Sequence, residues 1–321
     1  MLLRNQLAGR PLWRGLLALQ NVRSFSSKKD VLGNVNSAKG GKLPRMMSGP
    51  QRSMIEALED IESDPGWSAN QRTMVDRLFY APVATTEEQI RDDLKTAHRL
   101  MAKFNYDDLV WNHISARCLY EQSEDCCDLP LDSFLITPGG MHFSEVRADD
   151  FVFDTIDECG NIIHSGIYKS RPDIRSIIHT HTPAIMTVSV LKNGFKFLTQ
   201  DSAPFFNKIG YHDWEGLHCS EYEKERIAEN LGTDGIALFM RNHGATVVGR
   251  SIQEAWVRTY YLDRCCQVQL AAMATGDELI ECPEDLLEHA QKQVESFFPH
   301  GKYEWRALTR LVDKFSHTRT F

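Results

Sequence analysis

No run of about twenty apolar residues occurs in the 321-residue chain, so nothing in it reads as a membrane span. No C-x-x-C occurs either. The eight cysteines include two adjacent pairs, Cys126–Cys127 and Cys265–Cys266, which suit neither a zinc ribbon nor a disulfide framework. They read as free thiols packed as small apolar groups. Basic charge is in short supply: the formal net charge is −8, and beyond the N-terminus Lys and Arg are scattered rather than gathered in a stripe. That argues against nucleic acid as the main partner, because phosphate backbones select basic surfaces. Internal repeats and heptad runs are absent as well, which sets aside solenoids and coiled coils.

What is present is an ordinary soluble composition, 42% hydrophobic and 25% charged, in a chain long enough for a sizeable core. Residues 1–28 differ in kind. Arg4, Arg10, Arg14 and Arg23 precede the first acid, Asp30, and Leu, Trp and Ser fill the gaps. This is the pattern of a mitochondrial transit peptide with processing near Phe25–Asp30, and it predicts a matrix protein. The alternative is a disordered basic tail. Residues 29–84 read as a flexible linker, rich in Gly, Ser, Asn and Lys, followed by short helical fragments broken at Pro65, Gly66 and Pro82.

A single α/β domain is expected over 85–276. Thr85 and Glu88 have capping-box spacing, and Ile90, Leu94, Ala97, Met101 and Phe104 follow at helical intervals. Strands are expected in "DLVWNHISARC", "SFLITPGG", "RADDFVFDTI" and "IRSIIHTH", with another pair around "RNHG". Pro183 is placed to open a helix, and Ser251 with Glu254 to cap a long one ended by Gly276. Residues 277–321 read as a helical tail.

His179 and His181 end an apolar strand in "SIIHTHTPA". Strand alternation sends residues i and i+2 to one side, so two imidazoles can aim at one point. His243 sits in the "RNHG" turn, where Gly244 permits close backbone approach. Each motif alone also reads as polar residues satisfied by their neighbours.

Together, "HTHTPA" and "RNHG…VG", about 60 residues apart, resemble the class II aldolase/adducin domain, in its adducin-like branch. "NHISAR", "FLITPGGMHFSEV" and "HSGIYKSRPDI" extend the resemblance over roughly Thr85–Gly276. It implies an α/β/α sandwich with a central, mostly antiparallel sheet. It also implies Zn²⁺ held by His179, His181 and His243, acting as a Lewis acid in aldol cleavage of a small hydroxy-carbonyl substrate. A homo-oligomer, by analogy a tetramer, is implied too.

The resemblance breaks upstream. The catalytic Glu expected before "HSGIY" has no match: four residues before His164 stands Gly160, and Glu158 and Asp157 are merely nearby acids. The phosphate-binding Asn position is His113, and a hydroxyl position in the "ITP" turn is Gly139, leaving the backbone N–H groups of Gly139 and Gly140 to cradle an anion. His113, His142 and His164 are each candidates for a fourth ligand or a base, or are satisfied by local hydrogen bonds. His98, His289, His300 and His317 are expected at the surface. The alternatives to a lyase are a non-catalytic, adducin-like head acting in assembly or on actin, in the cytoplasm or cytoskeleton, and a pseudoenzyme whose histidines are structural and bind no metal.

Overall fold

Helix formation begins at Thr86, whose hydroxyl accepts from the N–H of Gln89 at 3.3 Å and so satisfies one of the free donors of the first turn. The capping residue is thus Thr86, one position after the expected Thr85. The helix it opens, α1 (Glu87–Phe104), buries Ile90, Leu94, Ala97, Leu100 and Met101 and stops at Asn105, which takes a left-handed conformation at φ 57°. A computed structural model describes residues 84, 86–118, 133–155, 162–216, 221–297, 300–301 and 303–316. The transit-like segment, most of the linker, Glu158, Asp157 and His317 lie outside the described residues.

The strands are β1 (His113–Arg117), β2 (Ser133–Ile136), β3 (Val152–Thr155), β4 (Ser176–Thr180), β5 (Ile209–His212), β6 (Ala237–Met240) and β7 (Gly244–Gly249). They form one sheet in the order β3-β2-β1-β4-β7-β6-β5. Only the β5–β6 pair is parallel; the other five pairings are antiparallel. Every residue of β4, β6 and β7 is buried, because helices cover both faces.

Alternation sorts the side chains between those faces. Ile114, Ala116, Leu135 and Ile178 pack with α1 and with the start of α5 (Ile252–Met273). Phe134, Ile177, Leu238 and Val248 pack on the other side with α2 (Ile162–Ser170) and α4 (Glu221–Leu231). Toward the β5 end, Ala237, Phe239 and Val247 meet α3 (Pro183–Ser189) and the middle of α5. The result is the expected α/β/α sandwich.

Ser251 caps α5, accepting from the N–H of Glu254 at 3.1 Å. Ala255, Thr259, Leu262 and Cys266 lie on its buried face, but Met273, placed there by the periodicity, is exposed. The tail holds α6 (Glu284–Phe297) and α7 (Glu304–Ser316). Trp305 of α7 is buried and donates from Nε1 to Asp93 of α1 at 3.2 Å.

Two histidines depart from their expected surface positions. His98 is fully buried in α1 between the rings of Phe143 and Phe151, and His300 is half-buried against the ring of Tyr261. His289 is exposed. Cys118, Cys265, Cys266 and Cys282 are free thiols. Among the described residues, no helix is long and apolar enough to cross a membrane.

Candidate metal centre

The sheet register sets three side chains in one row. His113 of β1 pairs with His179 of β4, and His179 pairs with Thr246 of β7. All three project to the α2 face. His181 follows β4 by one residue. Its position is secured by Thr182, whose hydroxyl donates to the buried Asp263 of α5 and accepts the N–H of Ile185 to cap α3. Pro183 opens α3 as expected. His243 enters from the β6–β7 turn, where Asn242 takes φ 59°, a left-handed conformation that Asn tolerates, and the N–H of His243 bonds to the carbonyl of Met240 at 3.1 Å.

These three histidines converge. The Nε2 atoms of His179 and His181 are 2.8 Å apart, those of His181 and His243 3.0 Å, and those of His179 and His243 3.3 Å. Among the described residues, these form the one group of three or more His, Cys, Asp or Glu side chains able to share an ion.

Their outer nitrogens fix where the protons sit. The carboxylate of Asp108 accepts from Nδ1–H of His181 at 3.0 Å, which in the neutral ring makes Nε2 the lone-pair nitrogen. The hydroxyl of Thr246 reaches the sulfur of Met240 at 3.7 Å and Nδ1 of His179 at 3.1 Å. With the hydroxyl proton directed to sulfur, Nδ1–H of His179 donates to the oxygen and Nε2 is again bare. Burial, reinforced by the neighbouring rings, drives the pKa of His179 well below its usual value. His243 falls to about 4, through burial and then the proximity of His181 and His212. Two neutral nitrogens with lone pairs facing each other at 2.8 Å repel unless a cation lies between them.

Nitrogens 2.0–2.1 Å from a tetrahedral zinc lie roughly 3.3 Å apart, so the observed spacing needs an opening of only a few tenths of an ångström. The outer partners also match what zinc ligands use, a carboxylate on one ring and a hydroxyl on another. The residues fit the metal.

Around this centre the other expected site residues fall into different places. His113 stacks face to face on His179, with ring centroids 4.7 Å apart and planes at 17°. Its Nδ1 bonds to Nε2 of His164 at 2.7 Å, and His164, fully buried in α2, bonds through Nδ1 to the hydroxyl of Ser115 at 2.5 Å. Gly139 and Gly140 are exposed in the turn after β2, with open space where a side chain would be and φ 79° at Gly140. That loop is tied toward the centre by His142, whose Nε2 meets Asp107 at 2.9 Å, one residue from Asp108.

The acids at 107 and 108 were missed from the sequence, as was Thr246. The available signal for Asp108 was chemical: a zinc-bound histidine donates its second N–H to a carboxylate, and "YDDLVW" directly precedes β1. The backbone there is unusual too, for Leu109 holds φ 51° while its side chain is 69% exposed.

Comparison with known proteins gives a consistent picture. Residues 92–270 match the model of the Class II Aldolase and Adducin N-terminal domain. An aldolase class 2 protein of Pseudomonas aeruginosa is 33% identical over 251 residues, covering 73% of this chain and 93% of its own. Alpha-adducin of Rattus norvegicus is 29% identical over 337 residues, covering 94% of this chain but only 41% of its own length. Among solved structures, an aldolase II superfamily protein from Pseudomonas syringae superposes with a TM-score of 0.64 at 29% identity, over 76% of this chain and 97% of that one.

Proposed function

The chain belongs to the class II aldolase and adducin N-terminal domain family, and from that premise we propose that it is a zinc-dependent lyase acting on a small hydroxy-carbonyl compound. The observation that carries the reading is the convergence of three Nε2 atoms within 3.3 Å of one another. His179, His181 and His243 would hold the zinc. When bound, it supplies Lewis acidity toward hydroxyl and carbonyl oxygens. Asp108 and Thr246 favour, in His181 and His179, the neutral tautomer that presents Nε2. The turn at Gly139 and Gly140 offers backbone N–H groups to an anionic end of the substrate.

The decisive measurement is metal analysis of the purified chain, followed by turnover over a panel of hydroxy-acids and sugars. Stoichiometric zinc is expected, and its loss in His179→Ala/His181→Ala. A metal-free wild-type protein, or unchanged zinc in the double variant, defeats the assignment.

One observation favours a second reading, a non-catalytic adducin-like head. Among the described residues, the carboxylate bonded to the three ligands, Asp108, meets Nδ1 of His181, on the far side of the ring from Nε2. Among the described residues, no acid joins the Nε2 cluster. Zinc without turnover, together with pelleting in actin co-sedimentation, supports that head; turnover without pelleting supports the lyase. The basic, acid-free stretch 1–28 supports import into mitochondria, tested by fractionation of cells expressing the tagged full chain.

A further inference from the structure

Behind the metal ligands runs a line of four polar side chains that the proposed chemistry leaves without a task. The hydroxyl of Tyr168 lies 2.8 Å from that of Ser115, Ser115 lies 2.5 Å from Nδ1 of His164, and Nε2 of His164 lies 2.7 Å from Nδ1 of His113. Tyr168 is 1% exposed, and Ser115 and His164 are 0% exposed, so bulk water does not reach these groups. His113, at the other end, keeps part of its surface open beside His179. The facing nitrogens, 2.7 Å apart, cannot both carry a proton, and burial disfavours the charged form of each ring.

Two neutral rings carry one N–H each, and the two hydroxyls carry one proton each. These protons can run along the line in either direction. If Tyr168 donates to Ser115, Ser115 donates to Nδ1 of His164. The Nε2–H of His164 then donates to Nδ1 of His113, and every buried proton has an acceptor. If instead His113 donates to His164 and His164 to Ser115, the two hydroxyl protons are left with one acceptor between them. One of them is then stranded in a dry interior. Stranding a buried hydroxyl disfavours that direction by roughly 5- to 150-fold.

We propose that Ser115, Tyr168 and His164 are positioning residues that fix the tautomer of His113, so that it holds an Nε2–H donor at the rim of the three-histidine centre. A ring nitrogen bearing a proton has no lone pair to give. His113 is therefore neither a fourth metal ligand nor a base through Nε2. It is a neutral donor, and the ligand it suits presents a carbonyl, carboxylate, hydroxyl or phosphoryl oxygen at that point. A cation or an N–H group is turned away there. Only the identity of that ligand rests on the lyase reading; the proton's position does not.

The test is nitrogen NMR of the full chain labelled at its histidine rings, with His113 assigned from the signal lost in His113→Gln. The wild-type protein is expected to show His113 protonated at Nε2 over Nδ1 by at least about five to one. Tyr168→Phe leaves the proton of Ser115 on His164 and is expected to keep that tautomer. Ser115→Ala removes the bias, and the two tautomers of His113 should become comparable. A wild-type His113 protonated at Nδ1 overturns the proposal, as does an Ser115→Ala protein that folds and keeps the wild-type ratio. Should Ser115→Ala fail to fold, the wild-type and Tyr168→Phe spectra still decide. Absence of zinc or of turnover with Nε2–H in place sinks the proposed function and leaves this assignment standing.

Discussion

A single added methyl group at position 244 would sit 2.5 Å from the carbonyl oxygen of Thr180 and 2.8 Å from Cδ2 of His181. Gly244 thus leaves room for a ligand ring as well as for the turn. Gly244→Ala is expected to lower stability by about 1–3 kcal/mol and to weaken zinc binding, because His181 must shift to relieve the contact. Calorimetry and chelator competition measure the two effects. Asp108→Asn tests the outer partner of the same ring. Its amide oxygen accepts less strongly than a carboxylate, and zinc affinity should fall roughly 10- to 100-fold with little change in the melting of the metal-free chain. At this scale much of the candidate site was legible: strand alternation in "HTH" and the turn in "RNHG", joined by the family resemblance, pointed to the three histidines that converge. The partners Asp108, Thr246 and Ser115 were not legible, because their roles depend on which strand lies beside which, and local sequence patterns do not carry that information.

Within α1, a half-buried and a fully buried group respond to pH in opposite senses. Burial raises Asp93 from 3.8 to about 6, against the lowering effect of hydrogen bonds from Trp305 and Gln253. Its contribution to stability is complete below pH 3.8 and is lost as the pH rises through 6. Burial lowers His98 from 6.5 to about 4. Its contribution is complete above pH 6.5 and is lost as the pH falls through 4. Each is on the order of 3 kcal/mol, so the two slopes largely offset each other between pH 4 and 6. Denaturant unfolding over that range is expected to show the uncovered slopes: stability falling with pH in His98→Gln, and rising more steeply than wild type in Asp93→Asn. Two variants parallel to wild type would contradict the scheme. The periodicity of α1 located its apolar stripe but assigned His98 to the surface, because a polar residue on a helix betrays nothing of what packs over it. Here the burial is tolerated because Leu94 accepts from Nδ1–H and Thr137 meets Nε2, both at 2.7 Å.

For the whole molecule, the tail belongs to the packed structure more than "helical tail" suggests. Gly301, at φ 84°, places the turn before α7 against the backbone of Gln253 at the start of α5, where an added Cβ would come within 2.5 Å of the carbonyl carbon. Gly301→Ala is expected to lower stability by about 1–3 kcal/mol and to raise protease sensitivity in 300–316 ahead of the rest. The assembly implied by the resemblance predicts a particle of four times the chain mass in light scattering, and a monomer would refute it. The order of the sheet has a consequence for how the chain would acquire the proposed metal. Strand β4 lies between β1 and β7, about sixty residues from each along the sequence. As the polypeptide leaves a ribosome or a translocation pore, N-terminus first, β1 waits for β4, and the two strand histidines wait for His243. Pairings of such long range close slowly, on the millisecond-to-second scale typical of high contact order. A zinc held as proposed would therefore arrive late, as the clasp on a largely assembled sheet rather than the seed around which it folds.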